Sequence, residues 1–140
     1  MSHEHSPIDL SLSLCRTIAV VGLSPKPHRD SYRVSQYMQA QGWRIIPVNP
    51  LAKEILGERA YASVSEAAQH EQIDMVNCFR NAQDIPPIAE EAIAIGAKAL
   101  WLQIGIAHAQ ASALAKQAGL CVVQDRCLMV EHARWAKQQG

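Results

Sequence analysis

Five short runs of this chain are almost wholly apolar away from their ends: Thr17–Val21, Arg44–Val48, and segments 75–79, 98–102 and 120–124. A sheet with one wet face would alternate apolar and polar positions, whereas these runs read as parallel strands covered on both faces. Between them the period lengthens to that of a helix. Val34, Tyr37, Met38 and Gln41 fall at i, i+3, i+4 and i+7, with only the last polar. Ile85, Ile88, Ala89 and Ala92 repeat the pattern, and Ala107, Ala111, Leu114, Ala115 and Ala118 do so again. Segment 127–138 puts Leu128, His132 and Trp135 on one helical face. Gly42, Gly96 and Gly119 each follow a helix and are placed to close it in the left-handed conformation. Pro86 and Pro87 suit a first turn, where a missing N–H has no partner to lose. Segment 57–61 predicts a turn and a short edge strand, and 63–68 a short capped helix. The alternation of strand and helix predicts one Rossmann-like α/β domain over 15–140, a three-layer α/β/α unit with a mainly parallel five-stranded sheet, preceded by a flexible segment, 1–14.

Composition narrows the function classes. Thirteen basic and thirteen acidic side chains leave no net charge, which argues against a broad nucleic-acid surface. Aromatic residues make up only 5% of the chain, too few for a base-stacking platform. The four cysteines form no CxxC pair, so a reduced, cytoplasmic protein without a disulfide framework is expected. Residues 1–14 do not resemble a signal peptide, and no apolar run approaches the length of a membrane span. His3 and His5 read as part of a solvated terminus rather than a metal site.

An open parallel sheet binds ligands beyond the carboxyl ends of its strands, where strand order reverses. The first such loop is the most promising. Gly22 permits a tight turn, and Ser24 can offer its hydroxyl and its N–H to a phosphate. Asp30 or Ser31 is placed to cap the following helix, whose first N–H groups form an anion site. Lys26, Arg29 and Arg33 bring positive charge, and Arg80 can reach the same mouth from the third strand. The loop is longer than a GxGxxG turn, carries two prolines and contains no Gly-Lys-Ser/Thr. A NAD site would also place Asp or Glu at the end of the second strand, where Asn49 and Pro50 stand instead.

Several segments then occur in a telling order: Val20-Val21-Gly22-Leu23-Ser24, Ser31-Tyr32-Arg33-Val34, Pro47-Val48-Asn49-Pro50, Asp74-Met75-Val76-Asn77-Cys78-Phe79-Arg80, Trp101-Leu102-Gln103-Ile104-Gly105 and Cys127-Leu128-Met129-Val130-Glu131-His132. Over about 15–135 the chain resembles the small stand-alone coenzyme A-binding domain proteins of bacteria, the YccU-like group. That group is similar to the nucleotide-binding domain of the succinyl-CoA ligase alpha chain. The resemblance implies coenzyme A or an acyl-CoA as ligand. Gly22, Ser24 and Lys26 would meet phosphate, with Arg29, Ser31, Tyr32 and Arg33 around them. Val48, Asn49 and Pro50 would border the adenosine, Phe79 and Arg80 the path of the pantetheine or phosphate, and Gln103 and Gly105 the thiol end. A neutral Asn49, with Lys53 near, would tolerate the ribose 3′-phosphate that a carboxylate would repel. Asn77-Cys78 departs from the expected pattern, and Asp30 would repel a phosphate unless it faces away.

No catalytic set or metal-ligand spacing stands out. The expected role is that of a carrier, sensor or regulatory module, with a homodimer or a protein partner left open. The competing class is a small NAD(P)- or other nucleotide-dependent oxidoreductase. Cys127, beside Arg126 on the ligand side, reads first as a packed cysteine, with a reactive thiol as the alternative. His132 reads as a hydrogen-bonded structural residue.

Overall fold

The computed structural model describes residues 6–139. Strands β1 (Thr17–Val21), β2 (Arg44–Val48), β5 (Met75–Cys78), β6 (Ala99–Leu102) and β7 (Cys121–Val123) form a parallel sheet in the order β2-β1-β5-β6-β7. Strand order therefore reverses between β1 and β5. The register aligns Val21 with both Val48 and Cys78, and Cys78 with Leu102, so four strands end on one line. Two further strands, β3 (Glu54–Ile55) and β4 (Glu58–Arg59), pair antiparallel around Leu56 and Gly57. The short edge strand expected near 57–61 thus pairs mainly with its own neighbour. Tyr61 bridges to Val48 of the large sheet, and Glu58 pairs with Arg44 of β2.

Side-chain alternation divides the core into two layers. Ala19, Val21, Val76, Cys78, Leu100 and Leu102 face α3 (Val64–Ala68), α4 (Ile85–Ala94) and α5 (Ala109–Gln117). Ile18, Val20, Met75, Ala99 and Trp101 face α1 (Pro7–Leu14), α2 (Asp30–Ala40) and α6 (Leu128–Gln139). Gly42, Gly96 and Gly119 follow α2, α4 and α5 with φ of 91°, 72° and 97°. The face expected on α5 is narrower than its spacing suggests: Ala111 and Ala115 are buried, while Ala107, Leu114 and Ala118 are exposed.

Helix α1 corrects the expectation of a loose segment through residue 14. Ser6 caps it, accepting a hydrogen bond from the Asp9 N–H at 3.1 Å, and Pro7 opens its first turn. Leu12 is fully buried. At the other end Arg16 donates to the Leu12 and Cys15 carbonyls, and Lys98 Nζ donates to the Leu14 carbonyl. His3 and His5 lie outside the described residues.

Candidate nucleotide-binding site

The turn from β1 to α2 is wedged between the ends of β2 and β5. The Gly22 N–H donates to the Val48 carbonyl at 3.0 Å, and its φ is +86°. A Cβ here would lie 2.7 Å from the Phe79 carbonyl oxygen and 3.0 Å from Arg80 Cδ. Glycine is thus required by the approach of two protein segments. Leu23 then plugs the core. The Ser24 N–H donates to Ser31 Oγ at 2.9 Å, Ser24 Oγ accepts from the Lys26 N–H at 3.1 Å, and the Arg29 N–H donates to the Lys26 carbonyl.

Two expectations change as a result. The Ser24 amide is already used, and neither Asp30 nor Ser31 caps the helix. Arg29 is the capping residue, with extended backbone, and no side chain caps the first turn of α2. The amides that can face an anion are therefore those of Asp30, Ser31 and Tyr32, with Ser31 holding the loop shut from behind. Asp30 is paired with Arg33, which also donates to the His28 carbonyl at 3.1 Å, so its charge is compensated locally. Among the described residues Lys26 and Arg29 make no ion pair.

Three clefts share lining residues along this edge. The first, about 570 Å³, lies beyond β1 and β2, under α3 and α4, and includes Val48, Asn49, Pro50, Val64, Ile88 and Glu91. The central one, about 640 Å³, is formed by Gly22, Ser24, Lys26, His28, Arg29 and Ser31 over the start of α2. The third, about 390 Å³, lies between α2 and α6, with Phe79, Gln103, Ile104, Cys127 and Met129 in its walls. Gly22 and Ser24 join the first to the central cleft, Phe79 and Asp30 join the central to the third, and Arg80 stands in both outer ones. Among the described residues Arg80 has one ion pair, with Asp84 at 3.5 Å.

The remaining expected residues divide. Val48 and Pro50 line the first cleft, and Arg33 the third. The Asn49 side chain is engaged internally: Nδ2 donates to the Leu23 carbonyl at 3.0 Å and Oδ1 accepts from the Leu51 N–H at 2.8 Å, so it pins β2 to the β1 loop. Gln103 is buried, and its Oε1 accepts the Leu128 N–H at 3.1 Å, anchoring the start of α6. Gly105 borders none of the three clefts; its N–H is held by Asp125 Oδ1 at 2.6 Å. Tyr32 packs half-buried against the core, and Lys53 also lines none of the clefts. Sequence reasoning missed Ser63, Asp84, Glu91 and Met129 as lining residues. Ser63 alone had a local signal, the Ser-x-x-Glu capping pattern that runs to Glu66.

The thiols differ by burial. Desolvation, followed by the Asp74 charge, pushes the Cys15 thiol up to about 12. Burial alone raises Cys78 strongly and raises Cys121. Cys127 is half-buried, stands just before α6 and lines the third cleft. His132 is buried among Tyr37, Trp43 and Trp135, with the Tyr37 hydroxyl 2.9 Å from Nδ1. Burial and then the Arg16 charge lower its pKa.

Residues 16–133 match the family model described as a CoA binding domain. The chain belongs to the CoA-binding domain family. An uncharacterized protein of Bacillus subtilis (strain 168), YneT, is 42% identical over 122 residues, covering 87% of this chain and 89% of the relative. A hypothetical protein from Pyrococcus horikoshii OT3 superimposes with a TM-score of 0.87 at 35% identity, over 97% of this chain and 99% of that one. The dinucleotide forming acetyl-coenzyme A synthetase 1 of Ca. Korarchaeum cryptofilum shares the fold at a TM-score of 0.69 and 20% identity, over 81% of this chain and 27% of the synthetase. Family membership starts at Arg16, so α1 lies outside the matched region of this CoA-binding domain protein.

Proposed function

We propose that this protein binds coenzyme A or an acyl-CoA along the carboxyl edge of its sheet. The adenosine would occupy the first cleft, the pyrophosphate the central cleft over α2, and the pantetheine arm the third. The protein would act as a carrier, sensor or regulatory module, with no catalytic centre of its own. The observation that carries this reading is the continuity of the clefts: a basic one flanked by two with apolar walls, in a chain of the CoA-binding domain family. A pyrophosphate suits Lys26, Arg29 and the uncapped first turn of α2. The competing nicotinamide reading lacks a carboxylate at the end of β2, where the Asn49 amide is already engaged.

Thermal-shift and calorimetric titrations with coenzyme A, acetyl-CoA, NADH and NADPH test the assignment. A ligand at a hundredfold excess over its Kd stabilises the native state by about 2.7 kcal/mol. Coenzyme A is expected to raise Tm and the nicotinamides to leave it unchanged; the opposite order transfers the site to a nicotinamide. Lys26→Ala or Arg80→Ala should weaken coenzyme A by roughly 1.5–3 kcal/mol through the loss of a charge-assisted contact. Unaltered affinity in both variants removes the phosphate assignment.

A further inference from the structure

The first cleft contains an acceptor for which phosphate has no use. Glu91, on α4, is fixed against the first turn of α3: its Oε1 accepts both the Ser65 N–H at 3.1 Å and the Ser65 hydroxyl at 2.8 Å. Among the described residues, neither a hydrogen bond nor an ion pair reaches Oε2. Ser63 heads the same turn and lines the same cleft. Its Oγ accepts the Glu66 N–H, so the hydroxyl proton remains to be donated. Val48, Val64 and Ile88 supply apolar wall. The cleft's other carboxylate, Asp84, is paired with Arg80. Apolar wall beside the open Oε2 of a carboxylate held through its other oxygen, with a hydroxyl donor in the same cleft, matches a flat base that carries an amine beside a ring nitrogen.

We propose that Glu91 reads the base of the ligand, its Oε2 accepting the exocyclic amine of adenine while the Ser63 hydroxyl donates to a neighbouring ring nitrogen. Hypoxanthine puts a carbonyl oxygen where the amine was, aiming an acceptor at a carboxylate. An unmatched charged group in a site is penalised more than a matched one is rewarded, so this single exchange discriminates strongly. The inference rests on the coenzyme A reading above and adds the choice of base to it.

Calorimetric titration of wild type with coenzyme A and with its deaminated, hypoxanthine-bearing analogue tests both layers separately. Wild type is expected to prefer coenzyme A by about tenfold or more. Glu91→Gln should level or reverse that preference, because its amide oxygen keeps the Ser65 contacts while its NH₂ turns to the ligand. A reversed preference cannot come from a misfolded variant. Equal wild-type affinity for the two compounds overturns the role of Glu91 and leaves the coenzyme A reading standing. An undiminished preference in Glu91→Gln does the same. Binding of neither compound by wild type overturns both.

Discussion

A methyl group at position 22 would sit 2.7 Å from a backbone oxygen, on a residue whose φ of +86° already disfavours any side chain. Neither the Phe79 carbonyl nor the turn can yield without moving the end of a strand. Gly22→Ala should therefore lower stability by about 1–3 kcal/mol. Urea denaturation should show the midpoint falling with no change in slope; an unmoved midpoint means the turn relaxes freely. This glycine was legible in the sequence as a tight turn at the end of β1; the approach of Phe79 and Arg80, which also requires it, was not. Asn49 and Gln103 were harder. Asn49 Nδ2 and Gln103 Oε1 go to Leu23 and Leu128, 26 and 25 positions away in the chain, and no local pattern announces such partners. Glu91 was invisible for the same reason, since only the fold brings it to Ser65.

Among the elements, the five sheet strands were legible because burial on both faces leaves few polar residues inside them. Helix α1 was not. It has a Ser-Pro start, but Ile8, Leu10, Leu12 and Leu14 alternate with a period of two rather than that of a helix, and its fixing contacts, at Lys98 and on β7, are distant in sequence. The α2–α6 contact has a consequence for acid stability. His132 of α6 meets Tyr37 of α2 and the Trp43 ring, over which the Arg16 guanidinium lies 5.1 Å from the centroid. The Glu131–Arg134 pair on the same helix is the nearest other charge in sequence. Because folding lowers the His132 pKa, the unfolded chain takes up the proton more readily. The stabilising contribution of the neutral ring is intact above the ordinary value of 6.5 and is lost as pH falls below it toward the folded pKa. Urea midpoints of the wild type should drop between pH 8 and pH 5.5 by more than those of His132→Phe; equal drops place the titration elsewhere.

For the whole molecule, the assignment of ligand halves to opposite ends of the sheet edge can be read through one side chain. Cys127 borders the third cleft, whereas Cys15 and Cys78 are buried and burial also raises the Cys121 thiol. At neutral pH an alkylating reagent should modify Cys127 first. Coenzyme A should slow that reaction severalfold, and adenosine 3′,5′-bisphosphate, which lacks the pantetheine arm, should not; equal effects from the two place the arm outside the third cleft. The mouth between these ends is already ordered. Ser24, Ser31, Lys26 and Arg29 hold one another through their own amides and hydroxyls, with two prolines between them. A receptor braced in this way has met its conformational cost during folding, so an arriving molecule encounters a finished mould. Capture should then run at the pace of rigid-body docking, and differences among acylated ligands should appear in how long each one stays.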